Sequence, residues 1–181
     1  MRFVTTNAGK FREVSALLRG HGIEIEHFDL HLPEVQGDEL QEVVAYSIKV
    51  LADEADFDFL VDDSGFFVDA LKGFPGVYSA YAYRTIGLPG LLHLLEGAER
   101  RTARFETVIG VRSKGATHFF KGECRGTVTE EPRGALGFGF DPIFVPDGQS
   151  RTFAEMAVEE KNAISHRGNA AKQLADFLKG R

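Results

Sequence analysis

The sequence predicts an α/β protein with a mixed sheet shared by two lobes. In the first half of the chain, short apolar stretches alternate with helical patterns, as in parallel strands connected by helices. In the second half, two long stretches of strand-forming residues flank a short turn and predict an antiparallel hairpin. No linker divides the chain, so we expect residues 1–181 to form a single two-lobed domain.

The first half of the chain alternates strand and helix patterns. Residues 2–6 (RFVTT) are a short apolar stretch followed by an NAG turn, and apolar side chains then recur at helical spacing up to Gly20. The predicted elements are strands at residues 2–6, 23–28 and 57–61 and helices at residues 11–20 and 39–55. The third strand places Asp62 and Asp63 just past its carboxyl end, the edge where ligands bind in open α/β sheets.

The second half is predicted to be largely antiparallel. Its two long strands are joined by the sequence SKGA, which suits a hairpin turn. The segment 130–150 is rich in Gly and Pro yet carries aromatic residues, so we expect an ordered loop. The predicted elements are a short helix at residues 88–95, strands at 103–112 and 117–128, and helical material within 152–179.

Composition excludes several functions. The formal net charge of −6 argues against broad, sequence-independent binding of nucleic acid, which depends on a basic face. No apolar stretch is long enough to span a bilayer or to act as a secretory signal, so we expect a cytoplasmic protein with no membrane partner. The single cysteine, Cys124, suits a reducing compartment and is expected to pack in the core.

The stretch VDDSGFFVDALKGFPGVYSA carries three aspartates, Asp62, Asp63 and Asp69, among apolar and turn-forming residues. Carboxylates in such a segment are costly unless they are hydrogen-bonded, paired or bound to metal. A capped, solvated turn is the simpler interpretation of DDSG, and a cation site is the other. Two adjacent residues at a strand end usually face opposite ways, so only one of the first two aspartates is expected to enter a cleft.

Two further segments allow both a structural and a binding interpretation. In TTNAGK, a helix N-terminus with Lys10 beside it can hold a phosphate, but an ordinary capped turn fits equally, and the P-loop pattern is absent. Glu34, in LPEVQGD, is a solvated loop carboxylate unless the chain folds it against Asp63. In that case the carboxylate oxygens suit Mg²⁺, whereas the residues for a zinc site are lacking.

The remaining candidate residues are a serine, a basic cluster and aromatic side chains. Ser64 could act as a nucleophile in covalent catalysis if His166 served as its base. The GxSxG motif typical of such serines does not surround Ser64, which argues against this role. EEKNAISHRG concentrates Lys161, His166 and Arg167, for which solvated helix ends are the simpler interpretation. Ser165 fits a helix N-cap, which puts His166 and Arg167 in a first turn where positive charge is unfavourable, and a bound polyphosphate would remove that penalty. Packing in the core or at the interface of the lobes is the ordinary role of the aromatic residues, and stacking of one or two on a nucleobase is the alternative. The aromatic candidates are Tyr78, Tyr81, Tyr83, Phe138 and Phe140.

Five separated motifs, taken together, closely resemble the inosine/xanthosine triphosphate pyrophosphatase family of house-cleaning nucleotidases. They are TTNAGKFRE, LPEVQG, VDDSGFFVDALKGFPGVYSA, GFGFDPIF and FAEMAVEEKNAISHRGNA, in this order over nearly the whole chain. The resemblance implies a long central mixed β-sheet with two α/β lobes, a nucleotide-binding cleft between them, and a homodimer. Phe66 and Phe140 depart from the family pattern, where leucine and a tyrosine or tryptophan are common.

The resemblance also implies roles for matching residues. Asp63 is the general base, and Glu34 and Asp63 bind Mg²⁺. The implied substrate-binding residues are Thr5, Thr6, Asn7, Ala8, Gly9 and Lys10 for triphosphate, Lys49, Ser64 beside the nucleotide, Tyr81 at the base, Phe138, Gly139, Phe140 and Asp141 around base and sugar, and Lys161, His166 and Arg167 at phosphate and purine.

The implied reaction is hydrolysis of deaminated purine nucleoside triphosphates (ITP, dITP, XTP) to monophosphate and pyrophosphate, which removes them from the pool used for DNA and RNA. Selection of the base would rest on hydrogen-bond donors of the protein aimed at O6 of hypoxanthine or xanthine. When adenine enters, these donors are left unpaired or meet its 6-amino group, which is itself a donor. Two alternatives remain open at this point: a related pyrophosphatase for modified pyrimidine or methylated nucleotides, and a non-catalytic nucleotide sensor.

Overall fold

A computed structural model describes residues 1–33 and 35–180. Within these ranges the chain adopts the predicted mixed α/β fold, with seven strands and six α-helices. The strands are β1 (Arg2–Val4), β2 (Glu26–Phe28), β3 (Phe59–Val68), β4 (Pro75–Gly76), β5 (Thr102–Ser113), β6 (Ala116–Val128) and β7 (Phe144–Pro146). They form one sheet in the order β2-β1-β3-β5-β6-β7, with β4 paired to β3. β1 is parallel to β2 and β3, whereas β4 and β7 pair antiparallel with β3 and β6.

The helices connect and cover these strands. They are α1 (Ala8–Gly20), α2 (Leu40–Ala52), α3 (Ser79–Thr85), α4 (Gly87–Leu94), α5 (Val158–Ile164) and α6 (His166–Lys179), with short 3-10 segments at Asp69–Leu71, Asp141–Ile143 and Phe153–Glu155. α1 begins after Asn7, whose side chain accepts a hydrogen bond from the Lys10 backbone N–H at 3.0 Å. Among the residues that the structure describes, no helix is long and apolar enough to cross a membrane.

The chain divides into two compact units. The first comprises residues 1–63, 107–122 and 166–181, and its described part is held by α1 packing on α6 over a continuous apolar core. Fully buried members of that core are Phe3, Val14, Leu18, Leu60, Ile109, Val111, Ala170 and Leu174. The hairpin turn of this unit has two successive positive φ angles, 50° at Lys114 and 79° at Gly115, as two-residue hairpin loops require.

The second unit comprises residues 64–106 and 123–165. Its core combines aliphatic side chains with a cluster of contacting phenylalanine rings, Phe66, Phe105, Phe140, Phe144 and Phe153. The loop predicted at 130–150 is ordered as expected, but it also contains β7, which the sequence did not predict. The sequence also missed α3, which presents exposed tyrosines.

The prediction for the end of the third strand was wrong. β3 does not stop at Val61 but runs to Val68, so Asp62, Asp63 and Ser64 lie inside a strand and not in a turn beyond it. Polar residues and a glycine suggested a strand end, because DDSG has the composition of a turn. The strand continues because its backbone pairs with β4 at Phe66 and Phe67 and because the apolar residues after Gly65 are buried. Phe66 and Val68 are fully buried, and this burial outweighs the local preference for a turn.

Cys124 packs in the core of the second unit, as predicted. Burial, reinforced by the nearby carboxylates of Asp147 and Glu123, raises the pKa of its thiol to about 12. We therefore expect alkylation of the native protein at pH 8 to be about a thousandfold slower than alkylation of the protein unfolded in guanidinium chloride, because the thiolate is the reactive form. Mass spectrometry of iodoacetamide-treated samples measures both rates. Equal rates in the two states would contradict the buried position.

Candidate functional site

The two adjacent aspartates of β3 share one lysine. Lys10, in the first turn of α1, places its Nζ 3.1 Å from Oδ1 of Asp62 and 3.8 Å from Oδ1 of Asp63. The same ammonium donates a hydrogen bond to the backbone carbonyl of Asp62 at 3.2 Å. The strand–turn–helix unit predicted from the sequence thus brings the lysine of TTNAGK to the aspartates of VDDSG.

The two aspartates differ in exposure, and this difference separates their roles. The side chain of Asp62 is 0% exposed, whereas that of Asp63 is 27% exposed. A buried carboxylate needs compensating charge, and Asp62 has a second cation in addition to Lys10: the Nε of Arg167 lies 3.4 Å from its Oδ2. Asp62 is therefore a structural anion of this site, and Asp63 is the aspartate that a ligand in solvent can reach.

Arg167 lies in the first turn of α6 and is 1% exposed. Its Nη1 donates to Oε2 of Glu13 on α1, so its guanidinium connects two carboxylates from different elements. This pairing supplies part of the compensation for positive charge at a helix start, for which the sequence suggested only a bound polyphosphate.

A glycine on β6 permits this position of α6. A Cβ at Gly122 would overlap the carbonyl oxygen of His166 and the backbone of Ala170. The first turn of α6 therefore packs directly on the strand, with His166 buried at its start. Only glycine allows so close an approach of helix backbone to strand.

The second unit contains a second charged cluster, built from GFGFDP and α5. The Nζ of Lys161 lies 2.7 Å from Oδ2 of Asp141, and both side chains are almost fully buried. The same carboxylate oxygen accepts a hydrogen bond from the Phe138 backbone N–H at 2.8 Å. A Cβ at Gly137, where φ is +75°, would overlap this oxygen. Lys161 and Asp141 thus fix the conformation of the loop that carries the predicted base contacts.

The aromatic candidates divide between the core and the surface. Phe140 is buried and stacks on Phe66 with ring centroids 5.1 Å apart, as expected for a core residue. Tyr78, Tyr81 and Tyr83 lie at or on α3 with at least two fifths of their surface exposed, so they are not core residues. Tyr81 is the most exposed of the three at 62% and stays a predicted base contact.

The structure does not bring all predicted residues together. Thr5 to Gly9 lie at the end of β1 and the start of α1, on the same turn as Lys10. Lys49 is exposed on α2 and, among the described residues, makes no ion pair or hydrogen bond with the aspartates. Ser64 follows Asp63 in β3, and Gly139 is half-buried beside Phe138. Glu34, the predicted magnesium ligand, lies outside the described residues.

The accessible carboxylate of Asp63 is a candidate oxygen ligand for a divalent cation. No group of three or more His, Cys, Asp or Glu side chains with metal-binding geometry occurs within residues 1–33 and 35–180. Mg²⁺ does not require such a group, because it is usually held by one or two carboxylates together with substrate phosphates and waters. The chemistry of the Asp63 donor fits that mode of binding.

Sequence reasoning missed Glu13, Gly122 and Gly137. Glu13 ends the motif TTNAGKFRE, which was the available signal, and it shares a face of α1 with Lys10, three residues before it. The two glycines gave no local signal. Gly122 is required by the backbone of α6, which is distant in sequence, and Gly137 is required by its positive φ and by the carboxylate of Asp141.

Comparison with known proteins gives consistent matches along the whole chain. The model of the Ham1 family matches residues 1–177. A protein named dITP/XTP pyrophosphatase from Thermococcus kodakarensis is 51% identical over 179 residues, which cover 99% of this chain and 97% of that protein. A protein of the same name from Methanopyrus kandleri is 49% identical over 178 residues, with 98% and 95% covered.

Solved structures match over nearly the whole chain at lower identity. The Ham1 protein of Coxiella burnetii is 32% identical, superposes with a TM-score of 0.84 and covers 100% of both chains. The Staphylococcus aureus Ham1 protein is 30% identical, with a TM-score of 0.84 and 99% of each chain covered. Because the family model and these relatives extend over nearly every residue, the protein belongs to the Ham1 family.

Proposed function

We propose that the protein is a nucleoside-triphosphate pyrophosphatase that hydrolyses ITP, dITP and XTP to the monophosphate and pyrophosphate, and so removes deaminated purines from the nucleotide pool. The names of its relatives from Thermococcus and Methanopyrus support this substrate class. The observation that carries the proposal is the accessible carboxylate of Asp63 beside Lys10 at the start of a helix. A carboxylate next to a cation at a helix N-terminus is an arrangement suited to hydrolysis of a phosphoanhydride.

In this mechanism Asp63 acts as the general base. A water molecule attacks the α-phosphorus, its proton passes to the Asp63 carboxylate, and the bond from the α-phosphorus to the bridging oxygen breaks. Pyrophosphate leaves, and no covalent intermediate with the protein forms. Lys10, whose side chain is 16% exposed, supplies positive charge to the phosphates through charge-assisted hydrogen bonds.

We propose Mg²⁺ as the cofactor, held by Asp63 and Glu34. When bound, a magnesium ion neutralises charge on the phosphate oxygens of the nucleotide. Two carboxylates leave positions for phosphate and water, which matches the usual coordination of this ion. Support comes from the donor type of Asp63 and from the resemblance of LPEVQG to the family motif.

The other predicted substrate contacts keep their roles in this proposal. Lys161 and Arg167 are proposed to contact the phosphates and the purine. Both side chains are almost fully buried, and each is paired with a carboxylate, Lys161 with Asp141 and Arg167 with Glu13, so the nucleotide must reach them there. Recognition of the 6-oxo group is proposed for the loop that contains Phe138, where the Lys161–Asp141 pair holds the backbone. Tyr81 is proposed to contact the base, which its exposure allows.

We also propose a homodimer in the cytoplasm. The dimer rests on the family resemblance, and sedimentation equilibrium measures it. The compartment is supported by the single buried cysteine, which suits a reducing environment.

We expect pyrophosphate release to be fastest with ITP, dITP and XTP and to need Mg²⁺. Donors that pair with O6 of hypoxanthine and xanthine are left unpaired by the 6-amino group of adenine, a loss of about 1–3 kcal/mol for each buried group. The measurement is an assay of pyrophosphate from ITP, XTP, dITP, ATP, GTP and dUTP, each with and without Mg²⁺.

Three results of this assay would contradict the proposal. Orthophosphate as first product would mean cleavage at the γ-phosphate. A preference for dUTP would favour a pyrophosphatase for other nucleotides. Nucleotide binding without turnover would indicate a sensor.

A further inference from the structure

Glu13 is a buried acidic residue that ends the motif TTNAGKFRE, but neither the motif resemblance nor the proposed reaction gives it a role. It lies on α1 and is 5% exposed. Burial of a carboxylate is costly unless it is paired, and its ion pair with the Nη1 of Arg167 provides that compensation. Arg167 is itself 1% exposed, so the pair lies in the interior of the first unit.

Glu13 is the first member of a series of alternating charges that ends at Asp63. Arg167 approaches Asp62 with its Nε at 3.4 Å, and Asp62 approaches the Nζ of Lys10 at 3.1 Å. Lys10 in turn lies 3.8 Å from Asp63. We call this series of five residues, Glu13, Arg167, Asp62, Lys10 and Asp63, the charge series.

The order of the charge series makes the carboxylate of Asp62 the shared element. One of its oxygens faces Arg167 and the other faces Lys10, so the two cations compete for one negative charge. Glu13 supplies a second negative charge to Arg167. Without that charge, the guanidinium would draw more strongly on Asp62, and Lys10 would be held less firmly against both aspartates.

We propose that Glu13 is a positioning residue for hydrolysis: by neutralising Arg167 it leaves Asp62 available to fix Lys10, and Lys10 in turn orients Asp63. This inference rests on the proposed function of Asp63. Glu13 contacts no reacting atom in this scheme and acts through Arg167. Residues that hold metal-binding side chains in place typically contribute about 10–100-fold to metal affinity or activity, and Asp63 is a proposed metal ligand.

The test uses the full-length protein and the variants Glu13→Gln and Glu13→Asp. Glutamine keeps the shape of the side chain but removes its charge, so we expect kcat for ITP to fall by about 10–100-fold while KM changes by less than about threefold. Aspartate keeps the charge on a shorter side chain, so its kcat should lie between the native value and that of the glutamine variant. Circular dichroism and thermal melting show whether each variant is folded.

Glu106→Gln is the matched control. Glu106 is also a buried glutamate, 6% exposed, and its Oε1 lies 2.6 Å from Nε of an arginine, Arg104, but it belongs to the second unit and not to the charge series. We expect this variant to keep the native kcat and to lose less thermal stability than Glu13→Gln, because the side chain of Arg104 is 31% exposed whereas that of Arg167 is 2% exposed. Removal of a glutamate charge that pairs with an arginine is thus common to both variants, and a positioning role predicts a fall in kcat for Glu13→Gln alone.

The outcomes separate this inference from the proposed function. A native protein that releases no pyrophosphate from any nucleotide would overturn both. An active native protein whose Glu13→Gln variant keeps kcat within twofold, or loses no more than Glu106→Gln, would overturn the positioning role alone. If the glutamine variant does not fold, Glu13→Asp decides: native kcat in that variant overturns the role, and a lower kcat with unchanged KM supports it.

Discussion

Replacing Asp63 with asparagine is expected to lower kcat for pyrophosphate release from ITP by roughly 10²–10⁴-fold, the usual contribution of a general base. The amide cannot accept the proton of the attacking water, and it also provides a weaker donor for Mg²⁺. Because the side chain keeps its shape, the neighbouring pair of Lys10 and Asp62 stays in place. Nucleotide binding, measured by isothermal titration calorimetry, should remain detectable.

Asp69→Asn is the matched control for this variant. Asp69 lies in the same sequence motif, but its carboxylate is exposed and accepts a hydrogen bond from the Thr102 hydroxyl at 2.6 Å. It begins a 3-10 segment and serves local structure, so its kcat should equal that of the native protein. Undiminished pyrophosphate release by Asp63→Asn would refute the role of general base, and equal losses in both variants would point to a general effect of charge.

Replacing Lys161 with methionine is expected to reduce the free energy of unfolding by about 3–5 kcal/mol, as breaking a buried ion pair typically does. The substitution leaves Asp141 buried without its ammonium partner, whereas the Phe138 N–H remains as a hydrogen-bond donor. Unfolding in guanidinium chloride, followed by circular dichroism, measures the change. Lys172→Met, at an exposed position of α6, should change stability by less than about 0.5 kcal/mol.

A double-mutant cycle tests the cause of that loss. Asp141→Asn alone leaves a buried ammonium with a neutral partner, and is therefore also expected to be destabilising. The double variant removes both charges, so its cost should be clearly smaller than the sum of the two single costs. Strict additivity would show that Lys161 and Asp141 do not stabilise each other.

The sequence predicted elements well where local rules act alone. The helix predicted at residues 11–20 is present but begins three residues earlier, at Ala8 after the capping Asn7, and the β5–β6 hairpin turns at Lys114 and Gly115, where positive φ angles are required. These features depend on residues within a few positions of one another. The family motifs likewise brought Lys10 and Asp63 to attention before the structure placed them 3.8 Å apart.

The sequence failed where compensation comes from distant residues. Asp62 resembled a turn residue because a buried aspartate in a strand is costly, but Lys10 and Arg167 neutralise it from positions 52 and 105 residues away. Glu13 and Arg167 are 154 residues apart, so no local pattern predicts their pairing. Glu34 lies outside the described residues, and its role as a metal ligand stays a prediction.

The position of Asp63 inside a ten-residue strand has a thermodynamic consequence. Fixing the backbone of one residue costs about 1–2 kcal/mol in conformational entropy, and a base on a mobile loop loses this amount when its ligand binds. In β3 the loss occurs during folding, before a nucleotide arrives. Asp63, the proposed general base, is therefore preorganised, and the proposed reaction does not consume substrate binding energy in ordering the Asp63 backbone.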